Sequence, residues 1–354
     1  MVDIPIVPIE ANSLIERISS KRFAFVAAIS FEERSTAWAH FLWKQGLRPD
    51  EVILFDYNTK AVPENEDREM RNKCRKDFGV FLELKKPQES ILDSVNAFAV
   101  NQLNYLSANF LDRCQRDTDI IIVDITCMTR VHLIGLSSAL RTRVGKTVQI
   151  FFCYATPRSY GFQQGILLGW KDTLFVPIGK RRFFKREGYS RGIIFAGHYG
   201  ERISVALQEL EPACGSLIYT KQEDRPDLLR RAKEVNNFIE RRLSLLRMPR
   251  VKVGDQNSDR WRVEVIGLDD FPDLYKILIN EAKLAAQDEG PIMIYPFGPK
   301  PITIFSSLLL GSIQDAQAWA VYPVPDRFDA RYSVGVGYLY AYSLNSLKLL
   351  QVDQ

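Results

Sequence analysis

A Glu-Arg pair follows an apolar run twice in this sequence, and both copies have a composition suited to an anionic ligand. The first copy, FVAAISFEERS, covers residues 25–35, and the second, IIFAGHYGERIS, covers residues 193–204. A carboxylate can transfer protons, and an arginine can bind phosphate through paired N–H donors. The pattern therefore indicates either a phosphate-binding site or an active site directed at a nucleotide.

The candidate ligand-binding residues follow two predicted strands in each copy. After the first strand they are Ser30, Glu33, Arg34, His198, Glu201 and Arg202, and after the fourth strand they are Asp124, Thr126, Arg130, Gly298 and Lys300. Glu33, Glu201 and His198 are the candidates for acid–base catalysis. In the segment GPKP, Gly298 permits close backbone approach, and the two prolines stiffen the loop that presents Lys300.

Some of these side chains also have a purely structural interpretation. Ser30 and Glu33 fit the S-x-x-E capping box, and the helix macrodipole alone stabilises a glutamate in a first turn. Asp124 can equally well cap the helix that follows it. In the second copy His198 replaces Ser30 and the capping box is lost, yet Glu201 is retained, which favours a functional interpretation.

The two copies belong to an internal repeat with a shift of about 168 residues. In order along the chain, VILFDY matches SLIYT, VFLEL matches WRVEVI, IIIVDITCMTR matches GPIMIYPFGPK and IFFCYATP matches AWAVYPVP. The third match places Arg130 over Lys300 and Asp124 over Ile294, while Thr126 falls on Pro296. A carboxylate present in one copy only indicates that the two sites are no longer equivalent.

Each copy predicts one Rossmann-like α/β unit, with a mainly parallel, doubly wound sheet in the order 3-2-1-4-5. We expect the units to span residues 1–185 and 186–354, with a boundary in GKRRFFKREGYSR and a β-hairpin extension at the end of each. The first and fourth strands are then neighbours, so the topology brings both motifs of a unit to one crevice. The N-termini of the following helices add partial positive charge there.

Composition narrows the class of protein. The chain has 354 residues, 46% of them hydrophobic, and a net charge of +4, which does not favour direct nucleic-acid binding. Its five scattered cysteines and three histidines have no metal-site spacing, and no G-x-G-x-x-G or Walker A motif is present. We expect buried, reduced thiols and a cytoplasmic protein with no metal, no cofactor, no signal peptide and no membrane association.

One helical segment, residues 226–243, carries several basic side chains beside an apolar stripe. The stripe comprises Leu229, Ala232, Val235, Ile239 and Leu243. We expect the stripe to pack inward and the basic face to be exposed.

The layout resembles the CARF domains of CRISPR-associated sensors, and two such units in one chain resemble the SAVED domains of anti-phage signalling systems. The segments ISFEERS, DITCMTR, GHYGERI and GPKP carry the resemblance, and GPKP is the most similar to the family pattern. The resemblance implies binding of a cyclic oligonucleotide in a pseudo-twofold crevice, with a separate effector protein as partner in bacterial defence. The Glu-Arg pair is not a signature of that family.

Three functions are compatible with the sequence. The first is a sensor that binds a phosphate-containing ligand, such as a cyclic nucleotide, and signals to a partner. The second is a nucleotide-directed hydrolase with Glu33 or Glu201 as the acid–base group. The third is a partner-binding scaffold without a small-molecule site.

Overall fold

The structure, a computed structural model, divides into two compact units. The residues that it describes are 6–57, 65–84, 90–143, 148–161, 170–179, 190–245, 261–313, 316–325 and 333–344. The first unit comprises Ile6–Gly169 and Pro325–Leu347, and the second unit contains Trp170–Val324. The loop-like run at 180–189 and the segment 162–169, on which parts of the predicted boundary and hairpin fall, lie outside the described residues.

Short strands alternate with helices along both units. The strands are β1 (Ile6–Ile9), β2 (Phe23–Ile29), β3 (Glu51–Tyr57), β4 (Ile91–Val95), β5 (Ile120–Asp124), β6 (Gln149–Ala155), β7 (Ser159–Tyr160), β8 (Trp170–Ile178), β9 (Arg191–Phe195), β10 (Cys214–Lys221), β11 (Trp261–Gly267), β12 (Ile292–Pro296), β13 (Ala318–Pro325), β14 (Ser333–Val334) and β15 (Leu339–Leu344). The α-helices are Ala11–Ile18, Ala37–Lys44, Asn65–Phe81, Val100–Asp117, Arg130–Arg143, Gly200–Glu209, Pro226–Leu245, Phe271–Gln287 and Lys300–Ser312, and a 3-10 turn spans Glu33–Thr36.

Each unit is built on one large sheet. The strand order is β1-β15-β6-β5-β2-β3-β4 in the first unit and β11-β10-β9-β12-β13-β8 in the second. Five consecutive strands of each sheet pair in parallel, in the predicted order 3-2-1-4-5. The predicted tandem Rossmann-like fold is therefore confirmed.

The central strands are buried along their whole length, because helices cover both faces of a doubly wound sheet. Every residue of β2, β5, β9 and β12 is buried. This explains why the sequence shows near-continuous apolar runs here rather than alternation. All five cysteines are free, and those that lie in the core are Cys74, Cys114, Cys153 and Cys214.

The trailing strand of each half joins the sheet of the other half, which differs from the predicted hairpin extensions. The strand β8 follows the first copy of the repeat but lies at the edge of the second sheet. The strand β15 follows the second copy but lies antiparallel between β6 and β1 in the first sheet. The compact units are therefore not the contiguous segments 1–185 and 186–354 that we expected.

The third strand of the first unit is also displaced from its predicted position. The run VFLEL at 80–84 begins within the helix Asn65–Phe81 and continues past its end, while the strand is β4. Phe78 and Leu82 are buried four residues apart, which is the spacing of one helical face, and Val80 between them is exposed.

Candidate functional site

In the second unit the two central strands, β9 and β12, end together, whereas the neighbouring strand β10 extends further at the carboxyl edge of the sheet. Phe195 of β9 pairs with Pro296 of β12, so these two strands end at the same level. The neighbouring strand β10 continues for three more residues, Tyr219–Lys221, and β11 continues beside it. At about 3.3 Å per residue this raises one side of the edge by roughly 10 Å.

The loops that follow β9 and β12 meet at the ends of these strands. A Cβ placed on Gly197 would lie 2.2 Å from the carbonyl oxygen of Phe297, and a Cβ on Gly298 would lie 3.1 Å from the Cβ of Phe195. The first distance is shorter than any real contact, so position 197 must be glycine for the backbones to approach as they do. The topology therefore brings the segments around His198 and Gly298 together, as the strand order predicts.

A helix starts from each of these loops with a cation in its first turn. The helix Gly200–Glu209 carries Arg202 as its third residue. Arg202 is half-buried, and its Cζ lies 5.4 Å from the ring centroid of Tyr199. The helix Lys300–Ser312 begins at the half-buried Lys300. The first N–H groups of a helix have no partner within the helix, and the macrodipole is positive there. Both helix starts therefore favour an anion.

His198 is neutral at physiological pH in this environment. Burial lowers its pKa to about 4, and the positive charges of Arg231 and Arg225 also lower it, while Asp227 raises it. Arg231 acts on the imidazole more strongly than Arg225 does. The region beside His198 is thus both partly desolvated and close to cations, and partial desolvation strengthens the attraction between a cation and a phosphate.

In the first unit the corresponding arginine, Arg34, binds groups of the unit itself. Arg34 is buried, its Nη2 lies 2.7 Å from Oε2 of Glu32, and its Nη1 donates to the carbonyl oxygen of Ala155 at 2.9 Å. Burial works to lower the pKa of Arg34, but the facing carboxylate raises it well above its usual value. Arg34 therefore anchors Glu32 to the end of β6, and contact of this arginine with a ligand stays a prediction.

The predicted capping box is not formed. The hydroxyl of Ser30 accepts a hydrogen bond from the backbone N–H of Glu32 at 3.3 Å, and the side chain of Glu32, which precedes the 3-10 turn, forms no capping hydrogen bond with it. Glu33 and Glu201 are both exposed at the start of a helical turn. Their repetition is accounted for by the preference for acidic residues at that position, and an acid–base role for either stays a prediction.

Asp124 and Thr126 shape the turn after β5. Oδ1 of Asp124 accepts from the backbone N–H of Thr126 at 2.9 Å, and the hydroxyl of Thr126 accepts from the N–H of Ala155 at 2.9 Å. Both side chains are buried, whereas Arg130 at the start of the next helix is half-buried. The turn brings this part of the chain against the end of β6.

The strand pairings also correct the alignment of the two copies after the fourth strand. Asp124 occupies the last position of β5, and the last position of β12 is Pro296. The structural counterpart of Asp124 is therefore Pro296 rather than Ile294. The sequence comparison missed this because the loops before the two helices differ in length by two residues.

A segment from the chain's C-terminal part lies over the strand ends of the first unit. We term residues Ser333–Tyr338 the strap. Its Ser333 hydroxyl donates to the carboxylate of Glu32, and β14 at its start pairs with β7. Thr156 donates its N–H to the carbonyl oxygen of Tyr338 and accepts from the N–H of Tyr338, both at 2.9 Å. The strap therefore covers the end of β6 and reaches Glu32.

Several residues of these sites were not among the candidates chosen from the sequence: Glu32, Arg231, Asn236 and Ser333. Glu32 lies next to a chosen residue, and only its partners distinguish it from Glu33. Asn236 carries a weak signal, since an amide four residues after Ala232 and three before Ile239 falls within the predicted apolar stripe. The helix Pro226–Leu245 indeed buries Asn236 where the stripe placed Val235.

From the sequence we expect no metal site and no membrane association. Within the described ranges, no group of three or more His, Cys, Asp or Glu side chains is arranged to hold a metal ion. Among the helices that the structure describes, none combines the length and apolar character needed to cross a bilayer.

No family model matches the chain, and no curated protein matches it. One similar solved structure is a Type III CRISPR defence DNA nuclease activated by cyclic oligoadenylate, at 7% sequence identity and a TM-score of 0.47. The alignment covers 84% of this chain and 65% of that chain. This chain thus spans less than two thirds of that protein, and a similarity of this size says nothing about the ligand or activity of this chain.

Proposed function

We propose that the protein binds a phosphate-containing ligand at the carboxyl ends of β9 and β12 in the second unit. The observation that supports the proposal is the meeting of two loops, around His198 and Gly298, from which two helices start with Arg202 and Lys300 in their first turns. In a doubly wound fold this is the position where ligands bind.

We propose further that this ligand is a nucleotide. Cations and helix N-termini select phosphate, and the half-buried ring of Tyr199 beside Arg202 adds an aromatic surface. Together these groups suit a nucleotide. The similarity of GPKP to CARF domains places cyclic oligonucleotides within the class to be tested. In this proposal, binding is signalled to a separate effector protein, with a role in antiviral defence.

A nucleotide hydrolase is the alternative that one observation favours. His198 is neutral at pH 7 because of its low pKa, so it can accept a hydrogen bond or a proton within the proposed site. Product formation from a bound nucleotide by the purified protein distinguishes the hydrolase from the sensor. A protein that binds none of the tested ligands would instead be the scaffold.

The experiment is a calorimetric and thermal-shift titration with AMP, ATP, linear dinucleotides, cyclic tri- and tetraadenylate and inorganic phosphate. Wild type is compared with Lys300→Gln, and the control is Lys283→Gln, which removes the same charge from an exposed position of the helix Phe271–Gln287. Loss of a charge-assisted hydrogen bond of roughly 1.5–3 kcal/mol weakens binding about tenfold or more.

The outcomes separate the hypotheses. Binding that is weakened in Lys300→Gln and retained in Lys283→Gln supports the proposed site. Equal binding by both variants would place the ligand elsewhere, and no binding by wild type would refute the proposal.

A further inference from the structure

The helix Pro226–Leu245 extends past the loop that carries His198. A Cβ on Gly200, the first residue of its own helix, would lie 2.4 Å from the carbonyl oxygen of Val235. The chain leaves β10 at the carboxyl edge and returns along this helix, so residues 226–234 lie beyond that contact. At 1.5 Å per residue they extend roughly 13 Å along the helix axis. The three residues by which β10 extends past β9 independently show that this side of the sheet edge projects beyond the His198 loop's strand.

Asn236 fixes the His198 loop to this helix. Its side chain is fully buried, and its Nδ2 donates to the carbonyl oxygens of Gly197 at 2.8 Å and Ala232 at 2.7 Å. A buried amide requires such partners, and an apolar residue here would leave the Gly197 carbonyl without this donor. The contact therefore sets the position of the loop relative to the helix.

Arg231 lies on the part of the helix beyond the contact. It precedes Val235 by four residues, about one helical turn, so it shares the helix face of Val235, whose carbonyl oxygen is the contact with Gly200. Arg231 is half-buried, and its charge lowers the pKa of the His198 imidazole. Arg225 forms a two-point ion pair with Asp227, with N–O distances of 3.0 and 2.9 Å, so those two charges largely compensate each other. Arg230, the residue directly before Arg231 in the helix, is exposed.

We propose that Arg231 is a phosphate-binding residue in a third wall of the second unit's site, and that Asn236 positions the His198 loop against this wall. The inference rests on the proposed function, since it concerns the same site. It adds a charge from the helix after β10 to those that follow β9 and β12.

The first test compares Arg231→Gln with Arg230→Gln, which makes the same change one position away on an exposed side of the same helix. The probes are AMP, cyclic tetraadenylate and inorganic phosphate, titrated by calorimetry. Arg231→Gln is expected to weaken binding tenfold or more, and Arg230→Gln less than twofold. Equal effects of the two variants would overturn the role of Arg231 while leaving the proposed function intact. If wild type binds none of the probes, the proposed function fails, and this role fails with it.

The second test needs no ligand. The chain has three histidines, so the ring signals of His198 can be assigned in NMR spectra with a His198→Gln variant. The pKa of His198 is expected to rise in Arg231→Gln and to stay unchanged in Arg230→Gln. An unchanged value in Arg231→Gln would show that Arg231 does not face the imidazole, and the proposed wall would be wrong whatever the binding data show.

The positioning role of Asn236 is tested with Asn236→Ser against Asn237→Ser, its exposed neighbour on the same helix. Asn236→Ser is expected to shift the pKa of His198, to increase amide exchange at 197–200 and to weaken ligand binding. Loss of stability alone, with an unchanged pKa of His198, would assign Asn236 to packing and refute the positioning role.

Discussion

The hydroxyl of Ser333 donates a hydrogen bond to the carboxylate of Glu32, across a sequence separation of 301 residues. The same carboxylate binds the buried Arg34, which in turn donates to Ala155. At the strand ends of the first unit, side chains of the same chain thus bind one another. In the second unit the arginine at the matching position, Arg202, is half-buried beside Tyr199. The arginine of the repeated Glu-Arg motif therefore has different surroundings in the two copies.

Replacement of Glu32 by alanine is expected to destabilise the first unit by roughly 3 kcal/mol, because it leaves Arg34 buried without its carboxylate. Glu33→Ala is the matched control, since Glu33 is adjacent and exposed, and a surface change costs within about 0.5 kcal/mol. The free energy of unfolding from urea denaturation, with amide exchange in β2 and the strap as a local probe, measures the difference. Equal stability of the two variants would show that the ion pair does not hold this strand end.

The sequence could identify the motif at this position but not which glutamate has the internal role. Glu32 and Glu33 are neighbours of the same type, and Glu32 is distinguished by its contacts with Arg34 and with the hydroxyl of Ser333, which is 301 residues away in the sequence. The strands that follow each copy of the repeat are similarly ambiguous, because the residue patterns of β8 and β15 do not specify which of the two sheets they join. The central strands were predictable, since burial on both faces requires continuous apolar runs.

The Gly197 loop gives a second prediction. Gly197→Ala is expected to destabilise the second unit by roughly 1–3 kcal/mol, because the new methyl group collides with the carbonyl oxygen of Phe297 and the backbone must move. It is also expected to weaken ligand binding. In the control Gly79→Ala the new methyl group meets nothing within 4 Å, and the change is neutral or stabilising by up to about 1 kcal/mol. Thermal unfolding of both variants checks this, and an unaffected Gly197→Ala would contradict the close approach of the two loops.

Acid is expected to destabilise the first unit through His132. This ring is fully buried between the hydroxyls of Tyr57, 2.6 Å from Nδ1, and Ser107, 3.2 Å from Nε2. Burial lowers the pKa of His132 to about 3, whereas an unfolded histidine titrates near 6.5. Between these values the unfolded chain binds more protons, so stability decreases as the pH falls, by roughly 1.4 kcal/mol per pH unit.

Two measurements check the histidine prediction. The pH dependence of the free energy of unfolding between pH 6.5 and 4 should be shallower in His132→Gln than in wild type. In NMR titrations of the folded wild type, the His132 ring should show no protonation above pH 5. A midpoint near 6.5 would mean that the ring is accessible to solvent and that the buried network is wrong.

At the opposite end of the second sheet, Glu281 compensates a buried cation. Arg191 at the start of β9 and Glu281 are both almost fully buried, with Nε and Oε2 2.8 Å apart, and the Ser216 hydroxyl donates to the same carboxylate at 2.6 Å. Glu281→Ala is expected to cost roughly 3 kcal/mol, because the buried Arg191 then keeps only its second carboxylate, that of Asp288. The double variant Arg191→Met with Glu281→Leu should recover part of this loss, since apolar residues carry no desolvation cost. Asp288 and Arg262, which also bind this pair, are half-exposed and can return to water. Urea denaturation of wild type, Glu281→Ala and the double variant tests this prediction. If the two side chains contributed only by packing, the double variant would be the least stable of the three. Because the pair lies at the amino ends of the strands, the double variant should keep the ligand affinity of the wild type.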